Sequence, residues 1–315
     1  MYYIKSFKDI SKFNAKIAGG KGASLGEMTQ AGIPVPPGFV VLASAFDKFL
    51  EETDIGTAIE AVLHTVDHRD INSVEIASEK IRTHIARERV PQDVQREILA
   101  AHRALSRGRP MPVAVRSSAT AEDSKTTSWA GELETFLNVS ARNLMPSVVK
   151  CWSSLFTPRA IFYRFEKRLH KTPISVAVVV QQMVQSEVSG ICFTVHPVTK
   201  DHDQLVIEAG YGLGEAIVSG QVTPDTYVVH KKRLILIEVS VGAQTHAVVR
   251  GSRGTVQKKL SPRLGARQKL SAKQITTLAE LCLKIEKHYK HPQDIEWALV
   301  RGKFYITQSR PITTL

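Results

Sequence analysis

The chain is short of the residues that build disulfide scaffolds and cysteine metal sites. Its three cysteines, Cys151, Cys192 and Cys282, are far apart and form no CxxC, which argues against both and fits a reducing compartment. Long apolar runs are missing. Stretches such as Val176 to Val180 fall far below the roughly 20 residues a membrane helix needs. The opening MYYIKSFKDI is too polar for the apolar centre of a secretory signal. We therefore expect a cytoplasmic, soluble protein with no membrane partner. Acidic residues are outnumbered, 30 Asp and Glu against 42 Lys and Arg, which leaves a net charge of +12. A chain this basic expects anionic company.

What is present is the composition of a folded chain, 43% apolar and 23% charged. The length suits about two domains or one large two-lobed domain. The positive excess is concentrated between His230 and Lys273, where Glu238 is the sole acid among eleven lysines and arginines. Two readings fit this stretch, a solvated connection or a docking surface for an acidic partner. No aromatics are interleaved with these charges as a stacking platform would require, so nucleic acid is a poor fit.

Periodicity predicts helices through most of residues 55–107, from Ser44 onward through Phe46 and Phe49, and over 144–166 with a break near Thr157-Pro158. A short strand, Val113–Val115, is expected to end at a polar cluster. After Pro173 the texture changes to β-branched runs separated by Gly, Pro and Asp. Ser271 is placed to cap a last helix. A hairpin follows, Asp294–Val300 and Phe304–Gln308. A helix-rich first half and a sheet-rich second half imply an α+β protein of two lobes, with a boundary near 173–190.

Several segments carry chemistry. In GGKGASLGEM, Gly19–Met28, Lys21 sits among glycines that let backbone N–H groups approach a phosphate, without P-loop spacing. In VAVRSSATAEDS, a strand delivers Arg116 beside hydroxyls, which suits recognition of phosphate oxygens by a planar fork. Ala130-Gly131 could close over phosphates, with Thr135 as a hydroxyl donor. The glycine-rich EAGYGLGEAIVSG, Glu208–Gly220, lacks Rossmann spacing. In DIEWALVRGKFYITQSRP, Glu296 comes opposite Gln308 if a three-residue loop, Arg301–Lys303, pairs Val300 with Phe304. A carboxylate and an amide oxygen would then converge, hard ligands suited to Mg²⁺ that keeps waters and binds nucleotide phosphates. Arg310, two residues on, points the same way and could neutralise a transferring phosphoryl group.

Together with PPGFVVLASAF, SWAGELETFLNV and QQMVQSEVSGICFTVHP, these blocks occur in an order that resembles the N-terminal nucleotide-binding domain of the phosphoenolpyruvate synthase (pyruvate, water dikinase) family, from about residue 14 to 313. Pyruvate phosphate dikinase and rifampicin phosphotransferase are relatives. The resemblance implies an ATP-grasp fold that clamps ATP between two lobes, residues 1–180 and 181–315. It implies phosphate binding by Lys21, Arg116 and Arg310, with Gly131 and Thr135 in a phosphate loop. Gln182, Met183 and Val184 would be the strand edge that meets adenine through backbone groups, and Glu187 would reach the ribose. Glu296 and Gln308 would hold Mg²⁺, supported by Asp294. The sequence departs from the pattern at Glu132-Leu133, where relatives usually carry uncharged amides, and segment 240–270 also fits poorly. The implied activity is an ATP- and Mg²⁺-dependent phosphotransferase that passes a phosphoryl group to a histidine on another domain or chain. The phosphohistidine and pyruvate domains would lie outside these 315 residues, so the enzyme would be incomplete alone. The alternatives are the nucleotide domain of a rifampicin phosphotransferase, or a stand-alone ATP-binding module. Gly242–Ala247, GAQTHA, has the rhythm of a phosphohistidine site but lacks its serine; we expect His246 to be an ordinary surface histidine.

Overall fold

A computed structural model describes residues 3–120, 133–169, 174–252 and 254–313. The chain divides into two units. The first comprises Met1–Glu27 and Pro37–Met183, the second Met28–Pro36 and Val184–Leu315.

In the first unit the elements are β1 (Ile4–Ser6), α1 (Ala15–Gln30, whose end enters the second unit), β2 (Gly38–Val41), α2 (Ala43–Glu52), α3 (Ile55–His64), α4 (Ile71–Arg87), α5 (Gln92–Ser106), β3 (Val113–Ala119), β4 (Thr135–Val139), α6 (Leu144–Ser153), α7 (Pro158–Glu166) and β5 (Val176–Gln182). The strands form an antiparallel sheet in the order β1-β2-β5-β3-β4. Phe39, Val41, Val113, Val115, Val178 and Val180 share one of its faces and enter a core with Phe46, Phe49, Trp152 and the inward stripes of α4 and α5. The expected break at Thr157-Pro158 is the start of α7, where the Thr157 hydroxyl accepts from Ala160 N–H. Two expectations change. Ser44 lies inside α2, whose N-cap is Leu42. The strand expected to stop at Val115 continues through Arg116, Ser117, Ser118 and Ala119, all buried; the Ser117 and Ser118 hydroxyls find partners inside the fold.

The second unit contains β6 (Val188–Phe193), β7 (Gln204–Tyr211), α8 (Glu215–Val218), β8 (Asp225–His230), β9 (Ile235–Ser240), β10 (His246–Arg250), β11 (Thr255–Lys259), α9 (Pro262–Gly265), α10 (Ala272–Tyr289), β12 (Gln293–Val300) and β13 (Lys303–Pro311). Six strands form an antiparallel sheet in the order β13-β12-β6-β7-β8-β9, and β10 pairs with β11 separately. Ser271 starts α10 with a capping box, exchanging hydrogen bonds with Gln274. α10 packs on β7 and β12, burying Ile275, Leu278, Cys282 and Ile285.

The basic stretch is ordered structure rather than a simple connection. Lys269 is wholly buried and paired with Asp225, equally buried, at 2.8 Å. Its ammonium also donates to the carbonyls of Gly242 and Gly265. Asp225 accepts in addition from Gly242 N–H, Lys269 N–H and the Tyr227 hydroxyl. Every group of this pair is thus engaged, the condition under which a buried ion pair is tolerated. Tyr227, pressed by burial and by its bond to Asp225, has its phenol raised well above the usual range.

Candidate functional site

In the first unit the glycine-rich segment is helical. Gly19 interrupts α1 with φ 68° and ψ 171°, leaving Lys21 in the first turn of the helical part that follows. A Cβ on Gly19 would stand about 2.1 Å from Ser118 Oγ, so only glycine fits both the left-handed φ and the close approach. Ser118 fastens the kink: its hydroxyl donates to Ala18 C=O at 3.0 Å and accepts from Gly22 N–H at 3.2 Å. Arg116 is two residues earlier on β3 and therefore on the same sheet face. Thr135 of β4 lies directly opposite Arg116. The unit thus gathers Lys21, Arg116 and Thr135 on one side of its sheet, a cationic, hydroxyl-bearing surface beside a helix start. Gly131 and the departure at Glu132 lie outside the described residues.

At the end of β5, Gln182 N–H donates to Pro37 C=O at 2.8 Å and Met183 N–H to Pro112 C=O at 3.1 Å. Neither N–H is left for a base. Val184 N–H has no partner among the described residues, so of the three backbone donors expected at this edge it is the one that can serve. Glu187 is exposed and its backbone is held twice, its N–H on Leu299 C=O and its C=O by Gly212 N–H. Ser186 and Ser189 hydroxyls also donate to Gly212 C=O.

The hairpin of the second unit carries the remaining candidates. Glu296 does pair with Gln308, but not through the expected three-residue loop. Val300 pairs with Lys303, and the two-residue turn Arg301-Gly302 has positive φ at both positions, 49° and 73°, the twist a tight hairpin requires. That register alone would set Thr307 against Glu296. A bulge intervenes: Trp297 pairs with Ile306 and Glu296 with Gln308, leaving Thr307 as the extra residue. Before the bulge Ile306 and Phe304 join Ile295, Trp297 and Leu299 on the apolar face. After it Gln308 and Arg310 join Glu296 and Asp294 on the other. Simple alternation along β13 would put Phe304, Ile306 and Gln308 on one face; the bulge sets Gln308 apart from the other two. Arg310 pairs with Asp294 in register, and its Nε and Nη2 both donate to Asp294 Oδ2, at 2.8 and 2.6 Å. Gln308 and Asp294 are both buried.

Two residues of consequence were not singled out from sequence. Ser118 shapes the Lys21 segment; its signal is a hydroxyl two positions beyond Arg116, on the same face of the strand. Glu208 of β7 lies in line with Glu296 across the sheet, a relation that only strand register reveals. Burial, and secondarily the Asp294 charge, raise its carboxyl above the ordinary carboxylate value. His246, whose motif mimics a phosphohistidine site and which was expected at the surface, is half-buried, with Nε2 enclosed and without a partner among the described residues.

Residues 15–315 match the family described as pyruvate phosphate dikinase, AMP/ATP-binding domain. The chain is 46% identical, over 99% of its length, to a probable phosphoenolpyruvate synthase of Methanothermobacter thermautotrophicus, covering 46% of that protein. It is 47% identical over 98% of its length to a probable phosphoenolpyruvate synthase of Archaeoglobus fulgidus, covering 41% of it. A rifampicin phosphotransferase of Bacillus cereus is 38% identical over 99% of the chain and is covered over 36%. The chain thus spans less than half the length of these relatives. No described helix is long and apolar enough to cross a membrane.

Proposed function

Because the chain belongs to the pyruvate phosphate dikinase AMP/ATP-binding domain family, we propose that its two half-sites bind one ATP, in the ATP-grasp manner, and present it for phosphoryl transfer to a histidine on another domain or chain. Lys21 and Arg116 supply positive charge from the first unit, with Thr135 as a hydroxyl donor and Gly131 as a further phosphate-binding residue. Arg310 supplies charge from the second. The strand edge Gln182, Met183 and Val184 meets adenine, with Val184 N–H as the backbone donor, and Glu187 reaches the ribose. Catalysis is then mostly placement and charge neutralisation. The reading fits a cytoplasmic enzyme of the phosphoenolpyruvate synthase type.

The observation that carries this is the hairpin: a carboxylate opposite an amide oxygen, with a pinned arginine one pair further along the same face. The donor set is all oxygen. Among the described residues no three His, Cys, Asp or Glu side chains gather as a metal-binding group. Few protein ligands of this hardness fit Mg²⁺, which keeps several waters and takes phosphate oxygens, better than an ion needing a full protein cage. Glu296 and Gln308 would hold it, and Asp294 would support them by fixing Arg310. The ion would supply charge neutralisation on the phosphates.

The test is to supply the chain with Mg²⁺, labelled ATP and a separately made phosphohistidine domain from a phosphoenolpyruvate synthase. Label on the histidine, lost with Arg116→Ala, is expected. ATP binding with no label on the histidine would overturn the transfer step and leave a binding module.

A further inference from the structure

Glu208 belongs to a row that crosses the entire second sheet: Gln308, Glu296, Ile191, Glu208, Thr226, Ser240. Residues opposite one another on neighbouring strands share a face. The Glu208 side chain therefore leaves the sheet on the side of Glu296, Gln308, Asp294 and Arg310. It is half-buried there, and among the described residues it has neither a hydrogen-bond donor nor a cation. Arg310, a cation of that face, is engaged by Asp294, and Asp294 adds negative charge nearby. A carboxylate kept partly out of water, beside a second one and without a counter-charge, is unfavourable. It makes physical sense if the counter-charge arrives with a ligand.

We propose that Glu208 is a further positioning carboxylate of the nucleotide site, holding the water shell of the divalent ion that accompanies ATP. The inference rests on the reading of the hairpin as the divalent-ion site. Two strand spacings separate Glu208 from Glu296, about 10 Å between Cα atoms. That suits contact through ion-bound water rather than a shared inner shell, in keeping with the absence of a three-acid cluster among the described residues. Mg²⁺ characteristically retains such waters.

The role separates from a structural one by its signature. In Glu208→Gln the shape is kept and the unpaired charge removed. The melting temperature of the ligand-free chain is expected to stay at or above that of the unsubstituted chain, and ATP affinity without metal to stay unchanged. Mn²⁺ affinity of the ATP complex, read by electron paramagnetic resonance, is expected to fall about tenfold. Glu296→Gln serves as the control and should lose more. Unchanged Mn²⁺ affinity in Glu208→Gln, with Glu296→Gln impaired, would overturn this inference and leave the hairpin reading intact. A joint fall in melting temperature and in metal-free ATP affinity would also overturn it, in favour of a structural role. Should Glu296→Gln bind Mn²⁺-ATP as the unsubstituted chain does, the hairpin reading fails and takes this proposal with it. If Glu208→Gln does not fold, the shorter Glu208→Asp, read in the same way, decides.

Discussion

Arg310 directs two donors at a single oxygen of Asp294, and that choice of atom has a consequence. A planar guanidinium held through Nε and Nη2 has its plane fixed, so the arginine is oriented before any anion arrives. Asp294→Asn removes the charge that fixes it while keeping the shape. We predict a roughly tenfold weaker ATP affinity, about 1.4 kcal/mol, by calorimetry with little change in melting temperature; unchanged affinity would show that the pair only staples the hairpin. The cysteines give a second prediction. All three are free and buried, and burial pushes the Cys151 thiol up to about 12, against an opposing pull from Ser117 and Lys21. A thiol needs its thiolate to react, so an aromatic disulfide reagent at pH 8 should label no cysteine until denaturant is added. Rapid labelling of native protein would contradict the buried placement. At this scale the sequence was informative about residue type, since Lys21, Arg116, Glu296 and Arg310 stand out by motif. It showed the Ser118 hydroxyl but not its partners, Ala18 and Gly22, which are some 100 residues away.

Among elements, β12 and β13 show that one pairing, Glu296 with Gln308, is compatible with two hairpin geometries. Alternation made Glu296 opposite Gln308 attractive, and a three-residue loop was the simple way to obtain it. The chain uses a two-residue turn and recovers the register with a bulge at Thr307. A bulge shifts facing by one residue and leaves no mark in composition. The segment after β9 was opaque for another reason. Its order comes from Asp225 and Lys269, which are 44 positions apart and meet only after folding. Local sequence shows a run of charges; tertiary structure turns one lysine inward. Removing one member of a buried pair strands the other, at about 3–5 kcal/mol. Lys269→Met is predicted to lower unfolding free energy by about that amount in urea titration. A loss below about 1 kcal/mol would mean that the pair behaves as a solvated one.

For the molecule as a whole, helix-rich first half and sheet-rich second half were legible from periodicity, because amphipathic stripes and β-branched runs are local signals. The allocation of Met28–Pro36 to the second unit was not, since it depends on contacts such as Ile306 N–H with Pro34 C=O. The excess of positive charge also acts at this scale: a net +12 should make binding of polyanionic ATP fall as salt rises. The central claim, that both halves serve one nucleotide, is tested most directly by titrating Mg²⁺-ATP into the chain and into Arg116→Ala and Arg310→Ala variants, one from each unit. The account predicts one ATP per chain and a loss of affinity of at least tenfold in both variants. One variant binding as tightly as the unsubstituted chain, or two ATP per chain, would contradict it.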